Sequence, residues 1–182
     1  MWIPKREPWR SIGKCLIVPI PFLKRLHVLL APGQRWRDRI DDKVLVGGNL
    51  FSWHIGPLVR EGVTGVVTLC DEYRDPEERL RAAGIRYLPL PTVDRTPPSP
   101  EDVERALAFL AEIHAGGGAA YIHCASGIGR SVTLAACWLI RARGMSAEEA
   151  LAHIKSRRRQ ADPTNAQVEF LRRFASANGV PA

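Results

Sequence analysis

The sequence lacks the cysteine spacing of a metal site or of a disulfide framework. Its four cysteines are scattered along the chain, and no Cys-x-x-Cys pair occurs. Closely spaced cysteines are typical of structural zinc sites, and a high cysteine density is typical of small secreted domains. The sequence therefore predicts neither a zinc site nor a disulfide scaffold, and no cofactor is expected.

A long apolar run is missing as well. No stretch of about 18 uninterrupted apolar residues occurs, so the sequence predicts no clean membrane-spanning helix. The nearest stretch, residues 12–30, is broken by Pro19, Pro21 and several basic residues. It also lacks the small-x-small cleavage pattern that follows a secretory signal.

Residues 1–38 form a basic arm that contains tryptophan and proline. Tryptophan and basic side chains suit the headgroup layer of a bilayer, so we predict a candidate membrane-interface anchor with peripheral contact through residues 1–32. The alternative is that this segment packs as an ordinary arm against the domain that follows it.

Acidic residues are fewer than basic ones, 19 against 26, and the formal net charge is +7. A basic balance favours anionic partners, namely phosphate esters, acidic lipid surfaces or nucleic acid. No zinc-finger spacing, basic-region heptad or aromatic RNA-binding motif is present, so no nucleic-acid partner is predicted.

Beyond residue 43 the chain alternates strand-like and helix-like segments. Short apolar runs rich in β-branched residues predict strands at 44–46, 65–70, 85–88 and 119–123, with Pro89 ending the third. Capping residues and helical spacing predict helices at 100–115, 130–143, from Ser146 onward and 165–177. The alternation predicts an α/β domain over residues 39–178, with a mainly parallel sheet of four or five strands and helices on both faces.

A Cys-x5-Arg-Ser pattern follows the last predicted strand. It reads His123-Cys124-Ala125-Ser126-Gly127-Ile128-Gly129-Arg130-Ser131. Ligands bind at the carboxyl ends of parallel strands, where this loop begins. The backbone amides of residues 125–130 are predicted to wrap a phosphate, because two glycines permit close approach and the following helix N-terminus favours negative charge.

Each side chain of the pattern has a chemical reason to be there. A helix N-terminus and nearby cations favour the thiolate of Cys124, which is the predicted nucleophile. Arg130 carries a planar fork that matches two phosphate oxygens. His123 and Ser131 are predicted to assist by hydrogen bonding, with the Ser131 hydroxyl placed to stabilise the thiolate when it leaves in the second step. Attack on phosphorus would give a phosphocysteine, and Asp94, in a proline-bracketed loop, is the predicted acid for the departing oxygen.

Taken singly, these residues have simpler interpretations. Cys124 alone would be a buried apolar residue, Arg130 a surface charge and Asp94 a turn former. Rival functions are a module that binds phosphorylated ligands without turnover, a rhodanese-type sulfurtransferase and an arsenate reductase. The joint pattern favours an active phosphomonoester hydrolase. Its thiol needs a reducing compartment, such as a cytoplasm or an organelle matrix, at a membrane periphery if the arm binds lipid.

These motifs resemble the dual-specificity branch of the protein tyrosine phosphatase superfamily. The signature of that branch is His-Cys-x-x-Gly-x-x-Arg-Ser, and residues 123–131 match it at every fixed position. The resemblance covers residues 39–174 and implies the cysteine-phosphatase fold without a metal. It also implies that Cys124 is the nucleophile, Arg130 the phosphate clamp and Asp94 the general acid, and that the substrates are phosphotyrosine, phosphoserine or phosphothreonine in proteins.

Several segments are also similar to the mitochondrial-type phosphatases that act on phosphatidylglycerophosphate. These segments are residues 36–41, 44–47, 72–73, 92–94 and 146–150. The similarity implies an alternative substrate, a phospholipid such as phosphatidylglycerophosphate or a phosphoinositide. The sequence departs from that group at Ala125, where a lysine is usual, so the phosphoprotein stays the main expectation.

Four further residues are predicted near the pocket. Glu72, Tyr73 and Arg95 are candidates for its rim. The context of Cys70, Thr-Leu-Cys-Asp-Glu, resembles the segment of the tensin-homologue lipid phosphatase that holds a redox-partner cysteine. This resemblance implies a reversible Cys70–Cys124 disulfide that protects the nucleophile. The simpler alternative is that Cys70 is a buried apolar residue.

Two further runs have structural interpretations. The three arginines at 157–159 end the helix that begins after Ser146, and a basic last turn suits the helix dipole, so a solvated face is predicted. Contact with a phospholipid surface is the alternative. Asn165 and Gln167 are predicted to stabilise the start of the last helix.

Overall fold

The computed structural model of this chain describes residues 35–180. The strands are β1 (Arg37–Arg39), β2 (Val44–Gly47), β3 (Val63–Cys70), β4 (Arg86–Thr92) and β5 (Ala119–His123). The helices are α1 (Ile55–Arg60), α2 (Glu77–Ala82), α3 (Pro100–Ala115), α4 (Arg130–Arg143), α5 (Ala147–Arg157) and α6 (Asn165–Ala177). The predicted membrane anchor at residues 1–32 lies outside the described residues.

The five strands form one sheet in the order β1-β2-β5-β3-β4. β5 lies at its centre and pairs in parallel with β2 and with β3, which in turn pairs in parallel with β4. Only β1 is antiparallel to its neighbour, β2. This confirms the predicted fold class of a mainly parallel sheet, and it brings the carboxyl ends of β2, β3 and β5 to one edge.

Both faces of the sheet are covered by helices. On one face, Val46 and Ile122 pack in a cluster with Leu110 of α3 and Leu139 of α4. On the other, Tyr121 of β5 packs in a second cluster with residues of α1 and α2. Every residue of β5 is buried, and successive side chains enter opposite clusters, as strand geometry requires. This double burial explains why the strand has an apolar run without alternation.

The residues predicted to begin or end α3, α4 and α5 are confirmed, and at α6 Gln167 caps the helix together with Thr164, which was not predicted. The Ser99 hydroxyl accepts a hydrogen bond from the Asp102 amide at the start of α3. Ser146 and Glu149 form a reciprocal capping box at α5, and Thr164 and Gln167 form another at α6. α4 ends at Gly144, whose positive φ of 65° suits glycine. These local signals place the helix that follows the Cys124 loop.

Several boundaries differ from the prediction. β4 continues through Pro89 to Thr92, because it is an edge strand that pairs only with β3, and an edge strand tolerates the missing proline N–H. α1 and α2, six residues each, were not predicted, since such short helices carry little periodicity. β1 begins at Arg37, two residues before the predicted start of the domain.

Candidate active site

The loop 124–129 connects the central strand β5 to the N-terminus of α4. It lies beside the end of β2, where the Asn49 amide donates to the Ala125 carbonyl at 3.0 Å. Gly127 has a φ of 69°, and a Cβ there would collide with the Gly47 backbone and with Arg158. The tight curve of the loop therefore depends on this glycine.

The Cys124 sulfur lies inside this curve with only 2% of the residue exposed. The Gly127 amide donates to it at 3.3 Å, and the Ser131 hydroxyl lies 3.4 Å away. α4 begins at Arg130, so its N-terminal end adds positive potential close by. Donors and potential of this kind stabilise an anionic sulfur.

Arg130 is held by partners on three segments, although it is only 2% exposed. Its Nη1 donates to the carbonyls of Leu69 at 2.9 Å and Thr92 at 2.8 Å. The Glu72 carboxylate bridges Nη1 at 2.9 Å and Nη2 at 2.8 Å. The hydrogen bonds from Arg130 lower the pKa of Glu72 to about 2. The guanidinium is thus fixed in orientation by the ends of β3 and β4.

The second edge of this guanidinium consists of Nε and Nη2. Its Nε is buried and has no hydrogen-bond partner. Its Nη2 forms an ion pair with Asp94 Oδ1 at 2.9 Å. Because Glu72 occupies the other edge, the Nε–Nη2 edge is the one that can take two oxygens of a phosphate.

Asp94 belongs to a loop that follows β4 and is tied to the start of α6. The Thr164 hydroxyl donates to the Arg95 carbonyl at 3.0 Å, and the Gln167 amide donates to the Thr96 carbonyl at 2.8 Å. Gln167 is thus both a capping residue, as predicted, and a tether of the Asp94 loop. The Arg95 side chain is exposed, and its backbone has a positive φ of 68°.

The His123 side chain makes its hydrogen bond with Asp75. Its Nε2 contacts Asp75 Oδ2 at 3.0 Å, and that oxygen also accepts from the Tyr87 hydroxyl. Its Nδ1 has no hydrogen-bond partner, so the hydrogen bond of the ring goes to Asp75, and the predicted assistance of His123 to the reaction stays a prediction. Neighbouring strand residues point to opposite faces, and His123 stacks on Tyr121 on the face away from α4.

The candidate rim residues lie at the end of β3. Glu72 contacts Arg130 directly, and the Tyr73 ring packs edge-on against Phe51 at 5.6 Å. Trp53 stacks on Phe51 at 4.8 Å and is 71% exposed. These aromatic rings form an apolar surface next to the residue that holds Arg130.

Cys70 is buried at the end of β3, the neighbour of β5. Its sulfur donates to Asn49 Oδ1 at 3.4 Å. Burial, with a smaller effect of the nearby Cys124, raises the pKa of Cys70 to about 12. A disulfide between these two cysteines stays a prediction.

The sequence reasoning missed two buried charged residues around the loop, Asp75 and Arg158. No sequence pattern indicated that Asp75 would be buried, because it stands in an irregular segment beside Pro76. Arg158 is 1% exposed, so the prediction of a solvated face was wrong for this arginine and holds for Arg157 and Arg159. The sequence did indicate burial of Arg158, because it follows the apolar Ile154 by four residues and so lies on the same helix face.

Among residues 35–180, no helix is long and apolar enough to cross a membrane. The same residues contain no group of three or more His, Cys, Asp or Glu side chains that could hold a metal ion.

A cysteine at the end of a central parallel strand, followed after a five-residue loop by an arginine that opens a helix, defines the class of cysteine-dependent phosphatases. The family model described as dual specificity phosphatase, catalytic domain, matches residues 61–177. This chain belongs to the dual-specificity phosphatase family.

Several relatives share a more specific name. The chain is 32% identical over 147 residues to a phosphatidylglycerophosphate phosphatase PTPMT2 of Arabidopsis thaliana, covering 79% of this chain and 64% of that protein. It is 33% identical over 146 residues to the mouse phosphatidylglycerophosphatase and protein-tyrosine phosphatase 1, covering 76% of each. The crystal structure of PTPMT1 in complex with PI(5)P matches with a TM-score of 0.76 and 30% identity, covering 80% of this chain and 97% of that one.

Proposed function

We propose that this protein hydrolyses phosphomonoesters through a phosphocysteine intermediate. The observation that carries the proposal is the convergence of the Gly127 amide and the Ser131 hydroxyl on the Cys124 sulfur, together with the buried Arg130 Nε, which has no hydrogen-bond partner. Together these groups present a nucleophile and a set of anion-binding donors to one small volume.

Substrate binding begins with the phosphate entering the loop. The amides of Ala125, Ser126, Gly127, Ile128, Gly129 and Arg130 surround three of its oxygens. Arg130 contacts two of these oxygens through Nε and Nη2, which requires Asp94 to leave Nη2. The carboxyl group of Asp94 is thereby released next to the bound ester, where a proton donor is needed.

The first chemical step forms a sulfur–phosphorus bond and breaks the phosphorus–oxygen bond of the ester. Protonated Asp94 donates its proton to the departing oxygen, so that a neutral alcohol or phenol leaves. In the second step the Asp94 carboxylate takes a proton from water, and the resulting attack on phosphorus breaks the sulfur–phosphorus bond. The Ser131 hydroxyl then donates to the departing thiolate.

The substrate class that the comparisons favour is an anionic phospholipid monoester of the phosphatidylglycerophosphate type. The names of the plant and mouse relatives and the PI(5)P-bound structure support it. A phosphoprotein is the second candidate, because the mouse relative is also named a protein-tyrosine phosphatase and because Ala125 replaces the lysine usual in lipid phosphatases of this type.

A direct comparison of substrates tests both the proposed hydrolysis and the proposed substrate class. We would measure kcat/KM for phosphatidylglycerophosphate in mixed micelles, for phosphotyrosine and phosphothreonine peptides, and for p-nitrophenyl phosphate, with Cys124→Ser as the inactive control. A preference of tenfold or more for the lipid supports the first candidate, and the reverse supports the second. Retained tungstate binding without turnover of any ester indicates a binding module instead.

The proposal also assigns a role to the basic arm. The catalytic domain, predicted over residues 39–178, would include β1 from Arg37, and residues 1–32 would bring it to an anionic membrane in a reducing compartment. Removing residues 1–32 leaves β1 intact, so sedimentation with anionic vesicles should weaken while p-nitrophenyl phosphate turnover stays constant. Unchanged sedimentation contradicts the role of the arm and leaves the phosphatase proposal untouched.

A further inference from the structure

Arg158 lies behind the Cys124 loop, on the side opposite to the sulfur. Its Nε donates to the Gly127 carbonyl at 2.6 Å, and its Nη2 donates to the Ser126 carbonyl at 3.2 Å. Its Nη1 pairs with Asp38 Oδ2 at 2.8 Å. The side chain is fully buried, and that of Asp38 is 7% exposed. One buried arginine therefore holds two consecutive carbonyls of the loop.

These carbonyls decide where the loop amides point. In a planar trans peptide the C=O and the following N–H point in opposite directions. The Ser126 carbonyl shares its peptide with the Gly127 amide, and this amide donates to the Cys124 sulfur. The Gly127 carbonyl likewise shares its peptide with the Ile128 amide. Holding both carbonyls on the outer side thus turns both amides toward the anion site.

Arg158 also places a positive charge behind the Cys124 loop. Burial lowers its pKa, and Asp38 is the largest influence in the opposite direction, followed by Tyr121 and Cys124. An arginine stays protonated in proteins, so a positive charge remains behind the loop. Asp38 offsets the cost of burying that charge.

We infer that Arg158 is a positioning residue that orients the loop amides toward the Cys124 sulfur and toward the bound phosphate. This inference rests on the proposed function, since it concerns the same site. A purely structural role, in which Arg158 only joins the end of α5 to β1, is the alternative. The two roles predict different results in a variant of Arg158 that still folds. A positioning role predicts altered reactivity of the Cys124 sulfur and weaker oxyanion binding, whereas a structural role predicts neither.

The three adjacent arginines offer matched variants. Arg158→Met should raise the pH midpoint of iodoacetamide alkylation at Cys124 by about one unit, because the thiolate loses a well-directed donor. Mass spectrometry of the Cys124 peptide separates this thiol from the other three. Tungstate affinity should fall about tenfold, since hydrogen bonds to an anion weaken. Arg157→Met and Arg159→Met, which change exposed arginines, should leave both values at the wild-type level.

Stability needs its own control, because Arg158→Met removes the buried partner of Asp38 and leaves only the exposed Arg35 at 3.9 Å. The double variant Asp38→Asn/Arg158→Met removes both charges. If it recovers the wild-type melting temperature but keeps the shifted midpoint and the weak tungstate binding, the inference is supported. If both site measurements recover with the melting temperature, the role is structural and the inference is overturned.

The variant Arg158→Lys distinguishes the effect of the positive charge from the effect of the hydrogen bonds that orient the loop. Arg158→Lys keeps the positive charge but cannot bind both carbonyls and Asp38 with one fork. It should lose most of the tungstate affinity that Arg158→Met loses, and full recovery overturns the inference. Neither alkylation nor tungstate binding needs turnover. A wild-type protein that hydrolyses no ester therefore defeats the proposed function alone, and unaltered alkylation and tungstate binding in Arg158→Met defeat this inference alone.

Discussion

Replacing Asp94 by asparagine should slow turnover and at the same time strengthen the binding of a phosphate-like oxyanion. The two effects arise from two positions of one side chain. In the ligand-free structure Asp94 pairs with Arg130 Nη2 at 2.9 Å, on the edge that a phosphate would use. During the reaction the same carboxyl group would protonate the departing oxygen.

The magnitudes follow from exposure and from the chemistry of the leaving group. The Asp94 side chain is 55% exposed, so its ion pair is screened by solvent. Exposed pairs contribute about 0.2–1 kcal/mol, which corresponds to tungstate binding about 1.4- to 5-fold tighter without the competing carboxylate. Loss of a general acid costs about 10²- to 10⁴-fold in kcat. The loss should be largest for alkyl phosphates, whose alkoxide leaves poorly without a proton.

The assay combines calorimetry with tungstate and steady-state kinetics on p-nitrophenyl phosphate and on an alkyl phosphate. Asp42→Asn is the matched control, because it makes the same charge change at an exposed side chain that pairs with Arg143. Tungstate binding that weakens in Asp94→Asn would refute the competition at Arg130. Full turnover of the alkyl phosphate would refute the acid assignment.

Three further predictions concern Glu72, Cys70 and Ser131. Arg130 lowers the pKa of Glu72 from 4.5 to about 2, so the stabilisation from this pair should be complete above pH 4.5 and lost as pH falls toward 2. The difference in unfolding free energy between wild type and Glu72→Gln should therefore shrink over that range. A difference that stays constant with pH would contradict this prediction. Peroxide should yield a Cys70–Cys124 linked peptide. Because burial raises the pKa of Cys70 to about 12, its thiolate fraction, and with it the rate of linkage, should rise about tenfold per pH unit. If mass spectrometry finds no such peptide, Cys70 is a buried apolar residue. Ser131→Ala should slow breakdown of the phosphocysteine, so rapid-mixing kinetics with p-nitrophenyl phosphate should show a burst of product, and the absence of a burst argues against this role of the hydroxyl.

Local patterns in the sequence were sufficient for the architecture around the loop. Apolar strand runs, capping boxes and a terminal glycine each depend on residues within one element, so they predict where β5 ends and where α4 begins. The Cys-x5-Arg-Ser spacing is local in the same way. For that reason the loop, its candidate nucleophile and the phosphatase class could be predicted from the sequence alone.

The tertiary structure alone decided which distant groups meet at that loop. Glu72 and Asp94 reach Arg130 from the segments after β3 and β4. Arg158 turns inward while its neighbours face solvent, and His123 turns away to Asp75. Contacts between residues far apart in the chain depend on strand order, register and the competition for buried charge. A single sequence carries no pattern for these, and so the cysteine and its arginine were predictable, whereas the residues that hold them in place were not.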